Sequence, residues 1–495
     1  MSDQKSSYRQ VMKATSLFGG VQVFNILISI VRSKFIALFI GPEGMGIAGL
    51  LNTTLNLVNG ATNLGLDKSG VKDISYSLKN GTDTEVARTV KVLRRLVWIT
   101  GVVGAVLMMV FSWLLSKLAF GDTSFSLAFV WIALALLFKQ LASGELAVLQ
   151  GLRKLKHLAS ANVFGNLAGL IITVPLYYFF RLDAIVPAII ISTLLSFAFT
   201  SYYRAKTKLE KVEVATKNVF SEGKEMVKLG ITLSVSSMIA LLAAYIIQIY
   251  ISSEGGVSEV GYYTAGIVIL NTYVGLIFNA MATDYFPRLS AITDSMVEVR
   301  KTVFEQAYIA VLLITPIILL FLVFAPLIIT ILYSGDFLPV VIFVSWGILG
   351  MLFKAASWSI GYVIIAKGDS SLFIKTAIGF SALLVASNVL GYNLGGLEGL
   401  GISFCIYYFV HFVGLAVITY FRYSFYLSAE FYGIFIVCTI MVGAGFAIGY
   451  LEGDLQRYVF QGFLALLSVI FTVYFLNKKM DIAGVIRDFI NRRKK

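Results

Sequence analysis

The run from Ala14 to Ile40, ATSLFGGVQVFNILISIVRSKFIALFI, is longer than the roughly 20 apolar residues that a helix rising about 1.5 Å per residue needs to cross bilayer hydrocarbon. Thirteen further runs follow, near residues 44–66, 92–116, 124–150, 159–180, 184–203, 229–252, 261–286, 303–333, 338–366, 370–392, 397–421, 430–451 and 455–477. Repetition on this scale leaves little choice of fold. In lipid every backbone N–H and C=O has to be paired within the protein, and a single segment achieves that only as an α-helix. The chain therefore reads as an all-α polytopic membrane protein of about fourteen transmembrane helices. Composition agrees: 58% hydrophobic residues and a mean hydropathy of +0.85 exclude an ordinary soluble domain, whose apolar share is about 45 to 50%.

A net charge of +13 could suggest nucleic acid, but its placement argues for topology. With the N-terminus inside, the outer segments carry only Lys117, Arg181 and Arg457. The spans hold Arg32, Lys34, Lys139 and Lys354, and the rest of the 40 Lys and Arg fall on cytoplasmic segments. By the positive-inside rule both termini are cytoplasmic, and no nucleic-acid partner is expected. The polar segment through Lys13 has no small-residue cleavage pattern after the first span, so it is expected to remain as a cytoplasmic tail. Cys405 and Cys438 lie in apolar spans and read as small lipid-compatible residues rather than a disulfide framework.

The chain is also internally duplicated. Lys13 precedes Gly46 by the interval that separates Lys228 from Gly261. Asn56 and Gly60 match Asn271 and Gly275, Glu85 and Thr89 match Glu298 and Thr302, and Gly121-Asp122 matches Gly335-Asp336. Leu137-Phe138-Lys139 matches Leu352-Phe353-Lys354, and Arg204 closes the run against Arg422. An even number of spans separates the copies, so they are parallel repeats about an axis along the membrane normal. The expected organisation is an N-lobe over 1–204, a basic cytoplasmic linker over 205–228, a C-lobe over 229–422 and two added helices within 430–477. A tail over 478–495 carries Ile482, Val485, Ile486, Phe489 and Ile490 at helical spacing among basic residues and should lie on the anionic inner leaflet. A cavity between the two six-helix lobes is the expected binding site, with lobe rocking giving alternating access.

Cations at membrane depth cost about 2.5 to 3.5 kcal/mol each on insertion scales, and they usually face protein, water or a ligand. Lys139 and Lys354 sit at similar depths in the two copies, slightly inside the midplane. From there snorkelling to the interface is a long reach, so both are read as cavity-lining. In the first helix Gln22, Asn25, Ser29, Arg32 and Ser33 share an arc of about 100°. Arg32 either belongs to that polar face or snorkels outward, while Lys34 points roughly the other way. Asn52, Asn56, Asn59 and Asn63 fall within an arc of about 60° and form either a wetted wall or a helix-packing seam. Asn271 is the repeat mate of Asn56. Glu145 and Asp284 are the candidates for coupling to protons or sodium, although Glu145 can equally pair with a cation. His411 reads as a hydrogen-bonded core residue, and Pro175, Pro316 and Pro326 are expected to kink their spans.

Four embedded cations against one deep acid make the cavity positive and its ligand anionic. No nucleotide-binding loop is present and the outer loops are short, which favours a transporter without cofactor or metal over an enzyme.

The opening run SLFGGVQVFNILISIVRSKFIALFIGPEGMGIAGLLNTTLNLVNGATNLGLDKSGVKDIS resembles the bacterial O-antigen translocases, lipid-linked oligosaccharide flippases of the multidrug/oligosaccharidyl-lipid/polysaccharide (MOP) superfamily. The similarity is strongest over helices 1 to 3, and the two-lobe plan extends it along the chain. It implies a cargo of undecaprenyl-pyrophosphate-linked sugar repeat units, moved from the cytoplasmic to the outer leaflet of the inner membrane. It also implies polysaccharide polymerase and chain-length partners, and cationic substrate ligands at Arg32, Lys139 and Lys354, with Gln22, Asn25 and the asparagine stripe on sugar hydroxyls. A lipid II-type flippase, a multidrug cation antiporter of the same superfamily, and a membrane polysaccharide polymerase or glycosyltransferase remain as alternatives. The antiporter would call for embedded carboxylates, and the polymerase for acids in a sizeable outer loop.

Overall fold

The computed structural model describes residues 2–210, 212–214 and 216–480. Among these residues there is no strand. The helices are α1 Ser2–Thr62, α2 Leu66–Asn80, α3 Asp83–Val110, α4 Ser112–Phe120, α5 Ser126–Gly151, α6 Leu155–Phe180, α7 Ile185–Ala205 and α8 Thr216–Gly255. They continue with α9 Val257–Val268, α10 Leu276–Ser290, α11 Met296–Leu332, α12 Val340–Ala366, α13 Ser370–Tyr423, α14 Ala429–Ile448 and α15 Asp454–Met480.

Among the described residues, eleven helical stretches are long and apolar enough to cross a membrane. Three of them are double spans. In α1 the chain turns at Gly41, whose φ of 64° is left-handed and suits glycine, directly before Pro42. A single 3-10 turn, Arg181–Ala184, parts α6 from α7, and Gly395 and Gly396 break α13. Counting both sides of each break gives the fourteen spans that the hydropathy pattern calls for. Helix starts follow local chemistry. Thr82 caps α3 by accepting from the Glu85 N–H at 3.3 Å, and the Glu85 carboxylate accepts the Thr82 N–H at 2.9 Å, a reciprocal capping box. Asp369 and Ser428 cap α13 and α14 in the same way, each accepting from the N–H three residues on. Of the in-span prolines, Pro326 follows a non-helical residue in α11, Phe324 at φ −110° and ψ 15°.

The chain divides into two compact units, residues 1–264 with 332–337, and residues 265–331 with 338–495. In the first, α3, α5 and α8 share a core around Leu93, Leu96, Val148 and Val219. The stretch joining α7 to α8 lies along α3: the Lys91 ammonium donates to the Val212 carbonyl, the Arg95 guanidinium donates to the Val214 carbonyl, and the Val214 side chain is buried. Arg88 adds a two-pronged pair with Glu222 at 2.7 and 2.8 Å. Two repeat-related glycines make a backbone-to-backbone crossing within this unit. A Cβ at Gly46 would stand 1.9 Å from the Val257 carbonyl oxygen, and one at Gly261 would stand 2.0 Å from the Pro42 oxygen.

In the second unit α12 is the most enclosed span and packs along α13, where a Cβ at Gly350 would stand 3.1 Å from the Phe404 ring. A π-helical turn, Ile269–Val274, leads into α10 and carries Asn271. The free cysteines fit the sequence reading, Cys438 being buried. The amphipathic tail expected over 478–495 lies, from Asp481 onward, outside the described residues.

Candidate functional site

Lys139 projects from α5 and donates to the Asn56 side-chain oxygen on the second half of α1. Lys354 projects from α12 and donates to the Asn271 side-chain oxygen at 2.6 Å. In both bridges 83 residues separate donor from acceptor, and each bridge lies within its own unit. The duplication read from the sequence is thus expressed as a repeated interaction. An amide oxygen satisfies an ammonium hydrogen without cancelling its charge, so both lysines keep attraction for an anion. Lys354 also lies 5.0 Å from the centroid of the Tyr408 ring on α13, a cation–π contact that again leaves the charge in place.

Arg32 is half-buried against α6. Its Nη2 donates to the Asn166 carbonyl at 3.3 Å, its Nε is buried without an acceptor, and Gly169 gives it room: a Cβ there would stand 3.2 Å from Nη2. Asn166 in turn donates to the Asn25 side-chain oxygen at 3.1 Å, so two members of the sequence-derived polar arc meet one α6 residue. Gln22 is exposed on the same helix. None of the ion pairs found among the described residues includes Arg32, Lys139 or Lys354.

The asparagine stripe is divided. Asn52 is exposed and donates to the Ala48 carbonyl one turn back at 2.8 Å, and Asn59 has a buried side-chain oxygen with no donor. Asn63 lies just beyond the end of α1, where its amide donates to Asp67 at 2.8 Å. The Asn63 N–H still donates to the Asn59 carbonyl at 2.8 Å, and the chain leaves the helix after it, where Leu64 (φ 50°) and Gly65 (φ 66°) turn into α2.

The two acids behave differently. Glu145 is buried and held between two guanidinium groups, Arg94 on α3 and Arg204 on α7, each at 2.8 Å. Asp284 is exposed and 3.9 Å from Arg288. Sequence reasoning missed three partners: Asn166, Tyr408, and Gln140, which is fully buried and donates to Thr100 at 2.7 Å. Asn166 and Gln140 are polar residues within apolar spans, a signal that a search for charge alone passes over. No cluster of three or more potential metal ligands occurs among the described residues.

Residues 35–342 match the family described as polysaccharide biosynthesis protein. No curated protein sequence matches the chain. Among solved structures, an inward-facing multidrug-resistance MATE-family transporter of the MOP superfamily is similar at TM-score 0.69 and 14% identity, over 81% of this chain and 94% of that one. The lipid II flippase MurJ in an inward closed conformation is similar at TM-score 0.67 and 13% identity, over 94% and 99%. A MOP-superfamily transporter from Pyrococcus furiosus, described as having a binding pocket of reverse polarity, gives TM-score 0.55 and 14% identity over 83% and 96%. At such identities the likeness is one of fold, and it matches the multi-pass helical plan above. The chain belongs to the polysaccharide biosynthesis protein family and has the fold of the MOP-superfamily transporters.

Proposed function

We propose that the protein is a flippase that carries an undecaprenyl-pyrophosphate-linked oligosaccharide from the cytoplasmic to the outer leaflet of the inner membrane by alternating access, with both termini cytoplasmic. The observation that carries this reading is the repeated lysine–asparagine bridge at Lys139–Asn56 and Lys354–Asn271. Two membrane-embedded ammonium groups, each paired to a neutral oxygen, suit a pyrophosphate and repel a cationic drug, which disfavours the cation-antiporter alternative. Arg32, with one buried nitrogen lacking an acceptor, is the third phosphate ligand. Gln22, Asn25, Asn52 and Asn59 supply hydrogen bonds to sugar hydroxyls, and the isoprenoid stays in lipid. Glu145, held by Arg94 and Arg204, acts as a structural group, and the membrane potential supplies the drive. A unit negative charge moved outward across about 100 mV gains about 2.3 kcal/mol. A polymerase and a chain-length protein would receive the exported unit.

The test is reconstitution in liposomes with a fluorescent undecaprenyl-pyrophosphate-linked sugar whose outer-leaflet fraction is read by a membrane-impermeant quencher. Wild-type protein should move the probe, and K139E with K354E should stop the movement while the protein remains folded in detergent. Unchanged rates in the charge-reversed protein, or glycan elongation without probe movement, would overturn the reading.

A further inference from the structure

Although α12 is the most enclosed span, Lys354, Trp358 and Tyr362 remain partly accessible along it, at i, i+4 and i+8, while Ala355, Ala356, Ser357, Ser359, Ile360 and Val363 are buried. Side chains at that spacing stand one above another on a single helix face. The stripe is an ammonium followed by two aromatic rings.

Residues of α10 back the rings. Phe278 and Tyr285 are buried, each with its ring centroid 5.6 Å from that of Trp358, and Tyr285 donates from its hydroxyl to the Ser359 carbonyl at 2.7 Å. Tyr362 lies 5.5 Å from Tyr285, 5.8 Å from the exposed Phe286 and 5.1 Å from Trp358. Such centroid distances hold rings in fixed edge and offset geometries. The accessible rings are therefore held in place before any ligand arrives.

The duplication isolates what is special here. At the offset that relates Lys139 to Lys354 and Asn56 to Asn271, the counterparts of Trp358 and Tyr362 are Ser143 and Ala147, and those of Phe278 and Tyr285 are Asn63 and Gly70. Both copies keep the anion-binding pair, and only the second adds the aromatic platform.

Building on the function proposed above, we infer that Trp358 and Tyr362 form a stacking track for the first sugar rings of the substrate, next to a phosphate held by Lys354. Sugar C–H faces are weakly electropositive and settle on the negative face of an aromatic ring. One helical turn, about 6 Å of rise from Lys354 to Trp358, suits a phosphate and the ring bonded to it. The track makes the second unit the one that distinguishes glycan-bearing carriers from bare ones.

The experiment compares two probes on detergent-purified full-length protein: undecaprenyl pyrophosphate, and the same carrier bearing one N-acetylhexosamine. W358L with Y362L should weaken binding of the sugar-bearing probe about tenfold and leave the bare carrier unchanged. W358F with Y362F, which keeps the rings, should restore most of the loss, and K354Q should weaken both probes. Equal weakening of the two probes by the leucine variant, or no effect on either, overturns the stacking track and leaves the flippase reading standing. Failure of wild-type protein to bind either probe overturns both.

Discussion

The Lys354 ammonium donates to the Asn271 side-chain oxygen at 2.6 Å, and the same bridge recurs between Lys139 and Asn56. Each bridge orients its lysine while leaving the charge uncancelled. Replacing either asparagine by aspartate would put a carboxylate against the ammonium and neutralise it. N56D and N271D should therefore each weaken binding of undecaprenyl pyrophosphate at least about tenfold, a loss of about 1.4 kcal/mol, as read by ligand titration. The glutamine variants, which retain a neutral acceptor, should bind within a few-fold of wild type.

Glu145 is expected to matter for folding rather than for coupling. Removing its charge leaves Arg94 and Arg204 facing each other across a buried position without a counter-ion. Breaking a buried pair from one side costs about 3 to 5 kcal/mol, and the partial exposure of both arginines argues for the lower end. E145Q should lower the thermal unfolding midpoint in detergent, while transport per folded molecule and its pH dependence stay unchanged. A shifted pH profile at full stability would instead mark Glu145 as a proton carrier.

The crossing of Gly46 and Gly261 has no room for a side chain. A methyl group at either position would stand about 2 Å from a backbone oxygen, well inside contact distance. Overpacking of this kind costs about 1 to 3 kcal/mol. G46A and G261A should each destabilise the protein by about that amount in thermal unfolding, and the double variant should cost less than the sum because both open the same crossing.

Asp369, directly before α13, ties the start of that helix to its end in an acid-sensitive contact. The Leu372 N–H, and then Arg422, hold its carboxyl below the ordinary carboxylate range, with Tyr423 donating as well. A carboxyl with a lowered folded-state pKa contributes stability above the ordinary value near 3.9, and that contribution is lost as pH falls through the folded value. Wild-type protein should lose thermal stability over this window by more than D369N does, and the two should converge at the acid end.

The fourteen spans were legible because hydrophobic length is a property of one segment at a time, and Gly41-Pro42 and Gly395-Gly396 mark their turns with residues that few other contexts require. The equivalence of Lys139 and Lys354 was legible for a related reason, since repeats are compared within one chain. What each side chain meets was not. Arg32 shares Asn25's arc in any helical projection, but that Asn166 serves both depends on how α6 packs against α1. Periodicity placed the four asparagines but not their partners: the Asn63 amide meets Asp67 only because the turn at Leu64 and Gly65 brings α2 back beside it. Glu145 looked ambiguous in sequence because both its partners lie on other helices, 51 and 59 residues away.

The grip of Lys91 and Arg95 on the stretch between α7 and α8 has a consequence for how this protein can diverge. Both cations hold carbonyl oxygens, which every amino acid supplies, so the hold does not depend on which side chains occupy positions 212 and 214, beyond a preference for apolar ones. What it specifies is length: deleting or inserting a single residue would move the wrong carbonyls under the two cations. Relatives of this chain are therefore expected to spell that crossover in many ways while keeping its residue count.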